Sequence, residues 1–437
     1  MGEEVEDSAI KVVDSGEAEN SSAVSASAPE QENAYGSIPS IPCIEAVEGI
    51  RYDFNQGLRV FFPDNGKKYK LVFKDADAGL LLYNALTQPG TIVSSVKKYY
   101  IRYQFEVWDE KEETKLFEHT LDLANKEVCV QMPVNTIGDS VGWFSYLERF
   151  QKKHNCKLVV CVSQFMIDLF AKQYPNFRFI LKEETASVAP YATYCLGLFF
   201  QGNKENQPID FRLVGLHRTA GYILGLRTKE ELEDIPPRLD LSARRTIKEK
   251  YVCIATKASA QCKLWNNPFG WDGVIRFLLN NGYRVLCIDK SPIIGKDDLY
   301  NTMPWGVEDF TGEHPLQERV NLIKDADFFI GLSSGLTWLA WCCKVPVVLI
   351  SGFTLPSCEF YTPYRIIRYD DCIGCWDDVR ENFDHNDFFW CPRKKERSEK
   401  YACSRIITAE QVINTIKTIP TFKEGSKNNE AKGKPRK

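Results

Sequence analysis

Short apolar runs separated by turn residues mark most of the chain, and the rhythm in which they recur changes along it. From residue 41 to about 130 the runs are GLRVFF, KYKLVF and KKYYIRYQFEVW, rich in β-branched and aromatic residues and parted by DNGKK and DEKEE. This pattern predicts a β-rich N-terminal subdomain over 41–130. Its Tyr-rich basic stretch at 97–102 reads as strand pairing across a sheet rather than contact with a partner. At Glu127 strands begin to alternate with helices. EVCVQMPV predicts a strand, NTIGDS a turn, and VGWFSYLERFQKKH an amphipathic helix whose basic end suits the macrodipole. KLVVCVS, a helix to about Lys172, FRFILK and ATYCLGLFFQ continue the series, so 131–232 is expected to be an α/β layer on a parallel sheet. The Pro-rich connector EDIPPRLDLS, 233–242, leads to YVCIAT, a turn containing KASAQCKLWNNP, the helix GWDGVIRFLLNNG, YRVLCID, a polar loop, the helix PLQERVNLIKDA and DFFIGL. A second α/β domain is thus expected over 233–420. Residues 1–40, rich in Ser, Ala, Glu and Asn, read as a disordered leader, and 421–437 as a disordered basic tail.

Two consecutive doubly wound α/β units of similar size form the glycosyltransferase-B arrangement of two Rossmann-like domains, the first on the acceptor side and the second for a nucleotide sugar. Its ligand is expected at the carboxyl ends of the strands. The stretch that organises the second unit is 329–350, FIGLSSGLTWLAWCCKVPVVLI, which predicts a buried strand, a small-residue turn, a helix beginning near Leu336 and a strand from Val345. At the turn, Ser333, Ser334 and Gly335 leave hydroxyls and backbone N–H groups at a helix N-terminus, where a diphosphate would be favoured. An ordinary N-capped helix between two strands is the bland alternative.

Composition narrows the class. With 437 residues, 44% of them hydrophobic and 26% charged, the chain is long enough for about two domains and a tail. No apolar run reaches the roughly 18 to 20 residues that cross a bilayer, and the acidic N-terminus lacks the basic and apolar regions of a secretory signal. Cytoplasmic residence is the expectation. Fifteen cysteines in such a chain argue for free thiols and metal ligation before disulfides. A net charge of -4 gives no general attraction to nucleic acid.

Three constellations carry chemistry. Asp139, in the turn after the first strand of the first α/β half, could accept a proton from an attacking hydroxyl, although on spacing alone capping of the following helix is the simpler reading. Lys257, at the end of YVCIAT, and Lys263, in CKLW, could neutralise a departing β-phosphate without a divalent metal, or be solvated loop charges. Trp265 and Trp271 are expected to pack a helix onto the sheet. Cys372 and Cys375 form a C-x2-C knuckle, followed by Cys391 after fifteen residues and Cys403 after eleven more. This is a tetrathiolate signature for zinc or iron, with separate free cysteines the weaker alternative and Cys358 left outside the set. With five histidines and no Ser-His-Asp or Cys-His-Asp pattern, a structural metal is favoured over a catalytic one.

VNTIGDSVGWFSYLERFQKKH, KASAQCKLWNNPFGW and DFTGEHPLQERVNLIKDADFFIGLSSGLTWLAW, followed by the four cysteines, occur in an order that resembles the bacterial autotransporter heptosyltransferases over about 42–420. The GD turn, the K-x-W segment and the Ser-Ser-Gly turn are similar, more distantly, to the lipopolysaccharide-core heptosyltransferases, which lack the cysteine segment. The resemblance implies an enzyme that transfers heptose from ADP-glycero-manno-heptose to serine hydroxyls of autotransporter passenger domains. It further implies one structural ferric ion per chain on Cys372, Cys375, Cys391 and Cys403, and a dodecameric ring. By the same resemblance Asp139 matches the catalytic base, Lys257 and Lys263 face donor phosphates, Ser333, Ser334 and Gly335 form the phosphate turn, and Thr311 and Gly312 approach the nucleoside. The acidic leader departs from the family pattern. A transferase acting on a lipid-linked core saccharide and a non-catalytic metal-stabilised scaffold are the alternatives. The first would need a membrane-facing basic or amphipathic element, and none is evident outside the tail.

Overall fold

The computed structural model describes residues 10–14, 34–111, 113–133, 136–200, 203–393, 396 and 398–425 of the chain. It divides into two compact units, Met1–Pro237 and Arg238–Lys437, with the boundary inside the Pro-rich 233–242 segment.

In the first unit the apolar runs KLVVC and EVCVQ are buried strands of a parallel array. Across the sheet the order is Arg178–Ile180, Lys157–Cys161, Glu127–Gln131, Ala192–Cys195 and Arg51–Asn55, every neighbouring pair parallel. Arg59–Phe61, Thr91–Ser95 and Ile10–Asp14 extend it as antiparallel strands, and Ile44–Glu45 pairs with Arg51–Asn55. Part of the β-rich region expected as a subdomain over 41–130 therefore belongs to the α/β sheet itself. Buried Asn55 explains the join: its amide donates to Pro190 O at 3.0 Å, and Thr193 Oγ1 donates to its Oδ1 at 2.6 Å. Only a second, antiparallel sheet, ordered Leu80–Leu86, Tyr69–Asp75, Tyr103–Asp109 and Lys115–Thr120, stands apart.

The first helix, Ile137–His154, starts earlier than the expected turn, so Asp139 lies in its first turn, with Lys152, Lys153 and His154 in its last. Both charge placements favour the helix dipole. Its buried Phe144 stacks on Phe170 at 3.9 Å, and the helix stops at Asn155, which takes a left-handed conformation.

In the second unit the main sheet has six strands, all parallel, ordered Glu308–Asp309, Arg284–Cys287, Tyr251–Ile254, Phe329–Leu332, Val347–Ile350 and Arg365–Ile366. Numbered along the chain, this is the order 3-2-1-4-5-6. Helices Gly270–Asn280 and Ala409–Lys417 share a core with the central strands through Val274, Leu278, Val412 and Ile416. Trp265 is buried in that core, edge-on to Trp271 at 5.2 Å, with its indole N–H on Ile407 O at 2.9 Å.

Three expectations change. The expected disordered leader contains the strand Ile10–Asp14, and Tyr35 and Gly36 hydrogen-bond to the first unit, Tyr35 Oη donating to Leu196 O at 3.0 Å. Residues 1–9 and 15–33 lie outside the described residues. The tail is tied down as far as Gly425: Phe422 stacks on Tyr283 at 5.8 Å, and Gly425 N donates to Asn281 Oδ1 at 2.9 Å. Residues 426–437 lie outside the described residues. The polar loop after YRVLCID contains a hairpin, Ile293–Lys296 paired with Leu299–Thr302. Its side chains alternate too little in polarity to announce it. Among the described residues no helix is long and apolar enough to cross a membrane.

Candidate active site

In the second unit the strand order reverses between the first strand, Tyr251–Ile254, and the fourth, Phe329–Leu332. Loops leaving the carboxyl ends of strands on either side of such a reversal diverge and leave a crevice. Thr256 and Lys257 follow the first strand; Ser333, Ser334 and Gly335 follow the fourth. The two strands are in register, Ile254 opposite Ile330, and Ala255 N donates to Ile330 O at 3.0 Å. A cavity of about 730 Å³ opens beside the first loop, lined by Thr256, Lys257, Trp265, Asn266, Thr302 and Arg405 among others.

Buried Asp289, just beyond the second strand, ties these loops together. Its Oδ2 accepts from Thr256 N at 2.8 Å and Thr256 Oγ1 at 3.0 Å, and its Oδ1 from Lys257 N at 3.2 Å. Its carbonyl accepts from Gly312 N at 3.3 Å and from Arg319 Nη2 at 3.2 Å. Arg319 Nη2 also donates to Gly312 O at 2.9 Å, and Arg319 Nη1 reaches Phe310 O. The loop with Thr311 and Gly312 is thereby fixed to the end of the second strand, and Gly312 sits at φ +128°, a conformation glycine tolerates.

The Lys257 ammonium donates to Thr302 O at 2.7 Å and Thr256 Oγ1 at 3.0 Å. Burial lowers its pKa, partly opposed by the Asp289 carboxylate. Lys263 has a different setting. It ends the short Gln261–Lys263 turn, and its ammonium lies over the rings of Phe383, Trp376 and Phe353, 5.0, 5.3 and 5.5 Å from their centres.

Helix Gly335–Cys342 begins at the serine turn, and no side-chain hydrogen bond from Ser334 caps it. The first-turn N–H groups of a helix lack partners within it, which suits an anion. Ser333 Oγ donates to Glu359, a buried carboxylate that also accepts from Arg365 Nη1 at 2.6 Å and Thr354 Oγ1 at 3.0 Å. This network fixes the turn from behind.

Asp139, in the first unit, is half-buried, and Thr136 Oγ1 donates to its Oδ2 at 2.6 Å. At the reversal of that unit's sheet, between Glu127–Gln131 and Ala192–Cys195, Gly36 N donates to Gln131 Oε1 at 2.8 Å beside a cavity of about 460 Å³.

The fifteen cysteines are free. Cys403 hydrogen-bonds with Cys372, and that bond, burial and the charges of Cys372, Cys375 and Cys391 raise its pKa. Burial pushes Cys375 up to about 12, Arg393 opposes, and Cys372 and Cys391 reinforce. Cys375 and Cys403 are thus held against ionising beside the other two thiols, which a cation would reverse, so the donor set suits a thiolate-bound metal. Among the described residues no three His, Cys, Asp or Glu side chains form a ready-made metal cluster.

Residues 47–111 match the family model of the glycosyltransferase TibC N-terminal domain, and residues 222–365 that of glycosyltransferase family 9 (heptosyltransferase). Over 381 residues the chain is 50% identical to the autotransporter heptosyltransferase TibC of Escherichia coli O78:H11, covering 87% of this chain and 92% of that one. The chain belongs to the autotransporter heptosyltransferases. Another relative in this family, the autotransporter heptosyltransferase Aah of Escherichia coli, is 47% identical over 384 residues, 88% of this chain and 96% of its own. Among solved structures, the dodecameric iron-containing heptosyltransferase TibC in complex with ADP-D-beta-D-heptose matches with a TM-score of 0.84 and 49% identity, over 88% of this chain and 98% of that chain. Heptosyltransferase chemistry is therefore the frame for this site.

Sequence reasoning missed Asp289, Arg319, Glu359 and the rings around Lys263. For Asp289 a signal existed, since an acid ending the second strand of a doubly wound sheet is a recurrent ligand-side position. Glu359 lies in an aperiodic loop and gives none.

Proposed function

We propose that this heptosyltransferase has a glycosyltransferase-B fold and moves heptose from ADP-glycero-manno-heptose to serine hydroxyls of an autotransporter passenger domain, in the cytoplasm and with inversion. The observation that carries this reading is the emergence of Lys257 and the serine turn from adjacent parallel strands at the reversal of the second unit's sheet. The N–H groups at Ser333, Ser334 and Gly335, with Lys257 or Lys263, hold the donor diphosphate and stabilise the charge that grows on it as the glycosidic bond breaks. These cationic and amide donors meet that charge without a catalytic divalent ion. Thr311 and Gly312 face the nucleoside. Asp139 takes the proton of the serine hydroxyl as it attacks the anomeric carbon opposite the leaving ADP, and the Thr136 hydroxyl holds the carboxylate.

Cys372, Cys375, Cys391 and Cys403 hold a structural ferric ion, one per chain, with zinc as the alternative; when bound it cross-links the segment that carries them. The chain assembles with copies of itself, as a dodecamer if it follows TibC. The test is the intact mass of a serine-rich passenger fragment after incubation with ADP-heptose. Heptose increments are expected with the parent protein and a loss of about 100-fold or more in rate with Asp139→Asn. No increments with the parent would sink the donor or acceptor assignment, and full activity in the variant would sink the base.

A further inference from the structure

The cysteine segment is built onto the loop that follows the fifth strand of the second unit's sheet. Gly374 N donates to Gly352 O at 2.8 Å and Trp376 N to Phe353 O at 3.2 Å, so the Cys372 and Cys375 knuckle runs beside the loop that follows Val347–Ile350. A Cβ on Gly352 would lie 2.4 Å from Cys403 O, which shows how closely the two backbones approach. Farther along the segment, Phe388 O accepts from Gln261 N at 2.9 Å. The turn that carries Lys263 is therefore docked on the same segment.

Between these attachments Phe353, Trp376 and Phe383 pack on one another with ring centres 5.4 to 5.7 Å apart. All three are buried, and the Lys263 ammonium sits over them. Among the described residues no carboxylate pairs with Lys263. Ring faces attract a cation through their quadrupole without neutralising it. Lys257 differs, because its ammonium already donates to Thr302 O and Thr256 Oγ1. The loop beneath Lys263 also carries Thr354 and Glu359, and Glu359 holds Ser333. One loop thus supports both the serine turn and a cation held over ring faces.

We infer that Phe353, Trp376 and Phe383 form an aromatic seat that positions Lys263 for the β-phosphate of the departing nucleoside diphosphate, making the cysteine segment part of the donor site. The inference rests on the proposed donor reading and goes beyond it in choosing between the two lysines and naming what positions the chosen one. The rings are positioning residues and Lys263 is the group that touches the diphosphate.

The test uses the full chain, with Kd for ADP and for AMP measured by calorimetry on the parent, Lys263→Ala, Phe383→Leu and Phe383→Tyr, and the metal content of each. AMP lacks the β-phosphate, so it separates positioning of Lys263 from general support of the site. Phe383→Leu is expected to weaken ADP binding about 3- to 30-fold, the span of a cation–π contact, and to leave AMP binding and metal content unchanged. Phe383→Tyr keeps a ring face and is expected to restore ADP affinity to within about twofold. Lys263→Ala is expected to weaken ADP at least as much as Phe383→Leu. If Lys263→Ala weakens ADP binding and Phe383→Leu does not, the seat is overturned while the donor reading stands. If Lys263→Ala has no effect on ADP, Lys263 is not a donor ligand and the inference falls with that assignment. Equal losses for ADP and AMP, loss of metal, or failure of Phe383→Leu to fold while Phe383→Tyr binds no better would make the rings a general support of the fold, and overturn the seat as well.

Discussion

Asp289 concentrates three hydrogen bonds from the loop after the first strand on one buried carboxylate. Asp289→Asn keeps its size but turns one acceptor oxygen into a donor that faces donors. A buried donor left without an acceptor costs about 1–3 kcal/mol. The variant is expected to unfold at lower urea and, because the Thr256–Lys257 loop loses part of its anchor, to bind ADP more weakly; unchanged affinity in the folded variant would show that the loop holds its shape without it. His154 makes a prediction about pH. Its ring packs at a tilt against Phe150 at 4.8 Å and Tyr100 at 4.9 Å, and its buried Nε2 has no partner among the described residues. Burial, reinforced by the Lys153 charge, lowers its pKa from 6.5 to about 4. As pH falls, the unfolded chain takes up this proton before the folded one does. The stability contributed by neutral His154 is thus complete above about pH 6.5, declines between 6.5 and 4, and changes no further below that. The loss is on the order of 1–2 kcal/mol after allowance for solvent screening of a partly exposed ring. Urea titrations at pH 7 and 4.5 are expected to differ less for His154→Phe than for the parent, and an equal difference would mean that other groups carry the pH dependence.

At the scale of elements, the knuckle and the loop after Val347–Ile350 share backbone hydrogen bonds, and Leu355 N donates to Asp377 Oδ2 at 2.7 Å. A metal held by Cys372, Cys375, Cys391 and Cys403 would cross-link this segment and help hold the ladder shut. Stripping it is expected to speed amide exchange at Leu355, Gly374 and Trp376, while Val128 and Val130 in the first unit's sheet keep their protection. Unchanged exchange at all five would mean that the aromatic packing holds the ladder without metal. The strands of both α/β series were legible in the sequence because a strand covered on both sides is a continuous apolar run, such as KLVVC or FFIGL. The serine turn was legible for a related reason, since small residues between a buried strand and an apolar helix leave few other conformations. Lys263 was visible as a cation but its aromatic seat was not, because Phe353, Trp376 and Phe383 come from separate segments and no local period links them. The same limit hid the pairing of Ile10–Asp14 with Thr91–Ser95 and the entry of Arg51–Asn55 into a parallel sheet. Which strand finds which edge depends on the register of distant chain, and short-range pattern does not encode it.

Across the whole molecule, each unit's parallel sheet repeats one construction, the order 3-2-1-4, with the reversal beside the first strand of its own α/β series. The antiparallel sheet Leu80–Leu86, Tyr69–Asp75, Tyr103–Asp109 and Lys115–Thr120 lies outside this scheme, and one of its edges is unusual. Leu80–Leu86 pairs with Tyr69–Asp75 on one side only among the described residues, and Leu80, Leu81 and Leu86 are 60%, 56% and 48% exposed. An edge strand with open hydrogen-bonding groups and large apolar side chains invites association, which monomeric proteins avoid with charges or bulges. If the chain assembles with copies of itself as proposed above, this edge is the expected place of contact with a second copy. Aspartate in place of all three leucines puts like charges wherever two copies of this edge meet, while the facing strand Tyr69–Asp75 keeps its buried Leu71 and Phe73. Light scattering should therefore report a large assembly for the parent and a smaller one for the triple variant, with heptose transfer to peptide serving as the check that the chain still folds. An undiminished assembly would move the subunit contact elsewhere, and a monomeric parent would remove the need for one.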